Sequence, residues 1–227
     1  MEITETHLVA DGPALDTAGL IHRVRQSAHP GPHRTVVMLH GRSGDENVMW
    51  VFASAAPKDW LLVAPRGFKQ DPDGGYAWLP RKRDEWPPLE LFDEAVAAVA
   101  RLIRALPNLY DADPDHIYLM GFSQGAATAY ATAMRYRGLV RGIAGLVGFV
   151  PVDSDAAVSA APLKGLPVFM AVGEDDRTIP LERSKACAQA LRRAGALLEY
   201  HAYDTGHKLS AEGMRDLRSW WELDTQL

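Results

Sequence analysis

The 227-residue sequence predicts an α/β fold: a mostly parallel central sheet with helices on both faces and an antiparallel hairpin at its N-terminal edge. Three observations carry this. Short apolar runs of strand length recur along the chain, helix-period segments lie between them, and the first thirty residues break that rhythm. Taken in order, Thr6 to Val9 and Leu20 to Gln26 flank a Gly- and Pro-bearing bend, which predicts the edge hairpin. The runs Thr35 to Leu39, Trp60 to Ala64, His116 to Met120, Ile143 to Phe149 and Val168 to Val172 have the unbroken apolar character of buried parallel strands. Between them, Glu90 to Leu106 places Leu91, Phe92, Ala95, Val96, Val99, Leu102, Ile103 and Leu106 on one helical face, with Pro107 as its expected end. Further helices are expected after Ser123 through Met134, over about 181–194 and over 211–221. Gly67 to Pro88 and Val150 to Pro167 are the loops expected over a site, and neither has the length of a large cap domain.

Composition narrows the function. The chain is 47% hydrophobic, enough to bury roughly 70 to 75% of its unfolded surface. One domain over 1–227 is expected, with 1–33 as hairpin and lead-in and 34–221 as the core. Lys and Arg total 24 against 29 Asp and Glu, a net charge of -5 that argues against a nucleic-acid binder. A single cysteine, Cys187, excludes an intrachain disulfide, a CxxC pair and a Cys-rich zinc site, and its Ala-flanked helical setting favours a quiet packing thiol. There is no apolar run of membrane-spanning length, and the polar, acidic first residues do not resemble a signal peptide, so the expected address is the cytoplasm, without stable membrane insertion.

The chemistry centres on Gly121-Phe122-Ser123-Gln124-Gly125, between an apolar strand and an Ala-rich helix. A serine on so sharp a strand-to-helix turn needs flanking glycines, because side chains there would collide with the neighbouring strand and helix. A serine hydroxyl becomes a useful nucleophile only when an imidazole takes its proton, and that imidazole needs a carboxylate to orient it. Downstream, Gly173-Glu174-Asp175-Asp176 follows one predicted strand and Thr205-Gly206-His207 the last. Spacing alone does not separate the three adjacent carboxylates; Asp176 is preferred, with Glu174 and Asp175 as solvated loop residues. Two backbone N–H groups are expected to hold the developing oxyanion, those of Gln124 and of Arg42 in His40-Gly41-Arg42-Ser43-Gly44. His40 is expected to be a buried, hydrogen-bonded structural residue.

These segments together, Leu39-His40-Gly41, Gly121 to Ala126, Gly173 to Pro180 and Gly206-His207, resemble the small carboxylesterase, phospholipase and acyl-protein thioesterase family of the α/β-hydrolase superfamily, over about residues 34–221. The resemblance implies an α/β-hydrolase fold, hydrolysis of an ester or thioester, no metal or organic cofactor, and a triad of Ser123, Asp176 and His207. It departs from the thioesterase branch at Arg42, where an apolar residue is more usual, and in the charged stretch Trp78 to Glu85, which argues against long-chain acyl-protein substrates.

For each remaining residue a plainer role competes. The Arg42 side chain either meets a substrate carboxylate or phosphate or pairs with nearby Asp45 or Glu46, the pair being favoured. Met49, Trp78, Phe122, Phe149, Ile179 and Leu209, with Arg42, are candidates for the substrate pocket, although each alone fits an ordinary core position. Arg81-Lys82-Arg83, answered by Asp84 and Glu85, fits a solvated loop, and Gly138, Gly142, Gly145 and Gly148 fit close packing around a strand. The expected partner is a small-molecule ester, with a homodimer admitted. The leading expectation is a serine carboxylesterase. A thioesterase or lysophospholipase is the alternative, and a non-catalytic receptor on the same fold a distant third. The site is expected to be open and shallow.

Overall fold

The computed structural model describes residues 5–80 and 86–224, and the Arg81-Lys82-Arg83 cluster with Asp84 and Glu85 lies outside them. An eight-stranded sheet forms the centre, in the order β1-β2-β4-β3-β7-β8-β9-β10. Its strands are β1 (His7–Val9), β2 (His22–Arg25), β3 (His33–Leu39), β4 (Leu61–Pro65), β7 (Ala112–Phe122), β8 (Gly142–Leu146), β9 (Pro167–Gly173) and β10 (Leu197–Tyr203). From β4 to β10 every pairing is parallel, while β1–β2 and β2–β4 are antiparallel. A separate ribbon, β5 (Lys69–Gln70) with β6 (Tyr76–Ala77), lies outside the sheet.

The unbroken apolar runs have a simple cause: each feeds two cores. Successive strand side chains point to opposite faces. Val37 and Leu39 of β3, Leu61 and Val63 of β4, Ile117 and Leu119 of β7, and Val168 and Met170 of β9 enter one core. Their neighbours Val36, Met38, Leu62, Tyr118, Met120 and Phe169 enter the other. On the first face pack α1 (Gly12–Ala18), α2 (Asp93–Tyr110), α3 (Gln124–Arg135), α4 (Asp155–Ser159) and α5 (Leu181–Arg193). On the second lie the 3-10 turn Val48–Phe52 and α6 (Ala211–Asp224), whose Leu217 is buried there and whose Trp220 and Trp221 join Trp60 and Tyr118 in an aromatic cluster.

Three elements differ from the sequence expectation. The edge hairpin is joined by a helix, α1, which begins with a proline in its first turn and ends at Gly19 (φ 79°). Pro107 does not end α2; the helix continues to Tyr110 and closes at Asp111 (φ 55°). A proline there forfeits one ladder bond, and burial of Leu106 and Tyr110 in the last turn outweighs it. Strand β8 stops at Leu146, because Val147 turns the backbone (φ 41°) and Gly148 passes so close to the elbow that a Cβ would lie 2.3 Å from the Ala126 Cβ. Val147 to Phe149 therefore form a loop toward the site. Of the four glycines assigned to close packing, Gly138 departs: it occupies open space in a turn at φ 74°.

Candidate active site

The C-terminal ends of β3, β7, β9 and β10 carry the residues of interest, as parallel α/β sheets generally place their sites. Ser123 follows β7 and precedes α3 with φ 53° and ψ -115°, a left-handed conformation that costs a non-glycine residue free energy. The fold holds it there on both sides. The Ser123 N–H donates to the Leu146 carbonyl (2.9 Å), and its own carbonyl accepts from Ala126 and Ala127. The flanking glycines are sterically required: a Cβ on Gly121 would lie 2.4 Å from the Ala126 nitrogen, and one on Gly125 2.0 Å from the Leu39 carbonyl oxygen.

Asp176 and His207 meet across two loops. After β9 the chain runs beside the segment leaving β10, with Glu174 N–H donating to Tyr203 O (2.9 Å) and Asp175 N–H to Thr205 O (3.1 Å). Gly173 permits that approach, since a Cβ there would stand 2.3 Å from the Gly206 carbonyl. Glu174 and Asp175 point to solvent, whereas the Asp176 side chain is 1% exposed. Its Oδ1 accepts from the Thr178 and Ile179 amides (2.8 and 2.9 Å), and Oδ2 meets His207 Nδ1 at 2.7 Å. A carboxylate only accepts, so Nδ1 carries a proton, and in the neutral ring Nε2 is then the nitrogen with the lone pair. The Phe122 ring stands edge-on to the imidazole, 5.2 Å between centroids.

Ser123 and His207 line one cavity of about 480 Å3, together with Gly41, Arg42, Ser43 and Gln124. Its remaining wall is mostly apolar: Leu79, Pro80, Trp86, Pro87, Leu91, Phe122, Phe149 and Ile179, with Thr178. Of the sequence candidates for the pocket, Arg42, Phe122, Phe149 and Ile179 line it, and Met49, Trp78 and Leu209 do not. Met49 is buried in the second of the two cores. Trp78 is buried beside His40, donating its indole N–H to the His40 carbonyl (2.8 Å), and Leu209 leans on α6 at Gly213. The sequence reading missed Trp86 and its neighbours, whose signal was the aromatic and proline run Trp86-Pro87-Pro88 in a loop already placed over the site.

His40 is fully buried. Nε2 accepts from the Gly67 N–H (2.8 Å) and Nδ1 donates to the Gly41 carbonyl (2.6 Å); burial lowers its pKa and keeps it neutral. Arg42 corrects the expected pairing. Its guanidinium reaches Asp71 (3.5 Å) and Asp73 (3.3 Å) in the β5–β6 turn, thirty residues away, instead of Asp45 or Glu46. Glu46 is taken by Arg66, whose two hydrogen bonds (2.6 and 2.7 Å) lower its pKa, and Asp45 accepts from the Asn47 backbone. Cys187 is buried, accepts from the Val150 N–H (3.1 Å), and has its pKa raised by burial. Among the described residues no cluster of three His, Cys, Asp or Glu is arranged to hold a metal, and no helix is long and apolar enough to cross a membrane.

Comparisons with known proteins agree with this architecture. Carboxylesterase SOBER1 of Arabidopsis thaliana is 32% identical over 205 residues, covering 84% of this chain and 83% of that protein. Acyl-protein thioesterase 1 of Gibberella zeae is 29% identical over 110 residues, 47% of each. Among solved structures, a carboxylesterase from Mesorhizobium loti superposes with a TM-score of 0.82 at 22% identity over 96% of this chain and 98% of that one, and the Bacillus cereus carboxylesterase with 0.79 at 20% over 92% and 96%. The phospholipase/carboxylesterase profile spans residues 21–223, and the chain thus belongs to that family, a carboxylic ester hydrolase with an α/β-hydrolase fold.

Proposed function

We propose that the protein cleaves small carboxylic esters through an acyl-enzyme on Ser123, with His207 as general base and acid and Asp176 as its orienting carboxylate. The observation that carries the reading is the 2.7 Å contact of His207 with the buried Asp176, His207 and Ser123 lining one cavity. Nε2 of His207 takes the Ser123 proton as Oγ attacks the ester carbonyl carbon. Negative charge gathers on the carbonyl oxygen, where the amides of Arg42 and Gln124 serve as donors; Gln124 opens α3, so its N–H precedes the helix's own ladder. Collapse expels the alcohol with the proton from His207, and water repeats the sequence to release the acid.

The apolar wall supports binding of the acyl group, and among the described residues that line the cavity the already paired Arg42 is the one Asp, Glu, Lys or Arg. The stretch shared with acyl-protein thioesterase 1 favours a second reading, a thioester substrate on the same machinery. Steady-state rates on matched esters and thioesters of increasing acyl length separate the two. Purified Ser123→Ala should fall at least about 10^3-fold on short p-nitrophenyl esters. A variant as fast as the parent sinks the assignment.

A further inference from the structure

The segment from Lys69 to Trp78 touches both sides of the proposed oxyanion site through the side chains of its two donor residues. On one side Arg42 reaches Asp71 and Asp73. Asp71 is a buried carboxylate, its side chain 1% exposed, and its Oδ1 also accepts from the Asp73 N–H (2.9 Å), so the turn that presents it is stiff. On the other side the Gln124 side chain accepts from the Trp78 backbone N–H (2.8 Å). The backbone adds its own attachments. Tyr76 N–H donates to Gly44 O (2.8 Å), and Gly75 (φ 65°) lies so close to the oxyanion loop that a Cβ would stand 2.4 Å from the Ser43 oxygen. Trp78 Nε1 is tied to the carbonyl of His40, which starts that loop.

We infer that Lys69 to Trp78 is a bracket that aims both oxyanion donors, and that the side chains of Arg42 and Gln124 are positioning residues whose task is to hold their own backbone N–H groups in place. The inference rests on the Ser123 reading above. The chemistry favours it over a substrate-binding role for Arg42. A guanidinium shared between two carboxylates, one of them buried, carries little surplus charge for a substrate carboxylate, and withdrawing it would strand Asp71 as an uncompensated buried charge. Catalysis rewards donors fixed before the charge develops, and small misplacements are costly. A side chain anchored thirty residues away supplies such fixing without touching the substrate.

Side-chain replacement tests this cleanly, because the N–H donors survive it. Arg42→Met and Gln124→Met are expected to lower kcat on a neutral ester by about ten- to a hundredfold with KM changed less than about threefold. Asp71→Asn should reproduce the Arg42→Met loss, the Arg42→Met/Asp71→Asn double variant should be no worse than either single one, and Arg42→Lys should recover part of the rate. Affinity for a trifluoromethyl ketone, which forms the tetrahedral oxyanion, should fall in parallel with kcat/KM, while affinity for the matching methyl ketone holds. A role confined to stability would move the thermal midpoint and leave that ratio alone; unchanged kcat in folded Arg42→Met, Arg42→Lys and Gln124→Met overturns the inference. So does a loss confined to KM for esters bearing a carboxylate, which would make Arg42 a substrate receptor. Reaction of the parent with a fluorophosphonate separates the two levels: a labelled Ser123 with insensitive variants refutes the bracket alone, and an unlabelled Ser123 refutes the reading beneath it.

Discussion

Asp176 differs from Glu174 and Asp175 in where its carboxylate goes. The two upstream residues spend their backbone amides on the β10 end and leave their side chains in solvent, while Asp176 is turned inward against two amides and His207. Asp176→Asn should therefore cost on the order of 10^3 to 10^4 in kcat by presenting the wrong hydrogen-bonding pattern to the imidazole, and Asp175→Asn should stay within about twofold. Steady-state ester hydrolysis of the two purified variants checks the contrast. At this scale the sequence pointed to Ser123 and His207, which the fold brings to one cavity, because a serine between two glycines after a strand and a histidine after the last one have few competitors. The partner of Arg42 was not. Sequence proximity favoured Asp45 and Glu46, but Arg66 claims Glu46 and the β5–β6 turn delivers Asp71 from far along the chain.

The elbow depends on elements that approach at backbone distance. A methyl group on Gly125 would collide with the carbonyls of Leu39 and His40, atoms of the strand end that leads into the Gly41 to Gly44 loop. Gly125→Ala is expected to cost about 1 to 3 kcal/mol or more and to suppress kcat as well, since relief of the clash moves Ser123 against that loop. Gly138→Ala makes the comparison: the site is open but at φ 74°, so about 1 kcal/mol of stability should be lost at unchanged kcat. Denaturant unfolding with kinetics on the same preparations reads both. The buried strands and α2 were visible in the sequence because burial on both faces, or on one helical stripe, leaves a strong pattern. Their ends were harder to see. The extension of α2 through Pro107 and the halt of β8 at Leu146 are decided by packing from other elements. β10 was implied by His207 but left no apolar run, because as the sheet's last strand it mixes half-buried and exposed positions.

Across the whole molecule, two histidines are buried in their neutral form. His22 is fully buried, with Nδ1 on the Leu20 carbonyl (2.7 Å) and Nε2 against the Tyr110 hydroxyl (2.6 Å), and burial lowers its pKa as it does that of His40. A histidine whose folded pKa lies below its unfolded value of about 6.5 binds protons preferentially in the unfolded chain. Its contribution is complete above that value and is lost as pH falls through it toward the folded pKa. The urea midpoint should therefore decline between about pH 7 and pH 5, and His22→Gln, which does not titrate, should flatten the decline. A midpoint unchanged over that range would contradict the assignment of both rings as buried and neutral. The same two-sided burial that excludes these rings from water holds four strand ends in register, which is what brings loops from β3, β7, β9 and β10 to one cavity. The claim that this convergence makes Ser123 the nucleophile is tested most directly by treating the folded protein with a fluorophosphonate and locating the adduct by peptide mass spectrometry. One equivalent on the Ser123 peptide, formed in step with loss of ester hydrolysis and absent from Ser123→Ala, is the predicted result. Full hydrolysis with Ser123 unmodified, or inactivation with the adduct on another residue, would contradict it.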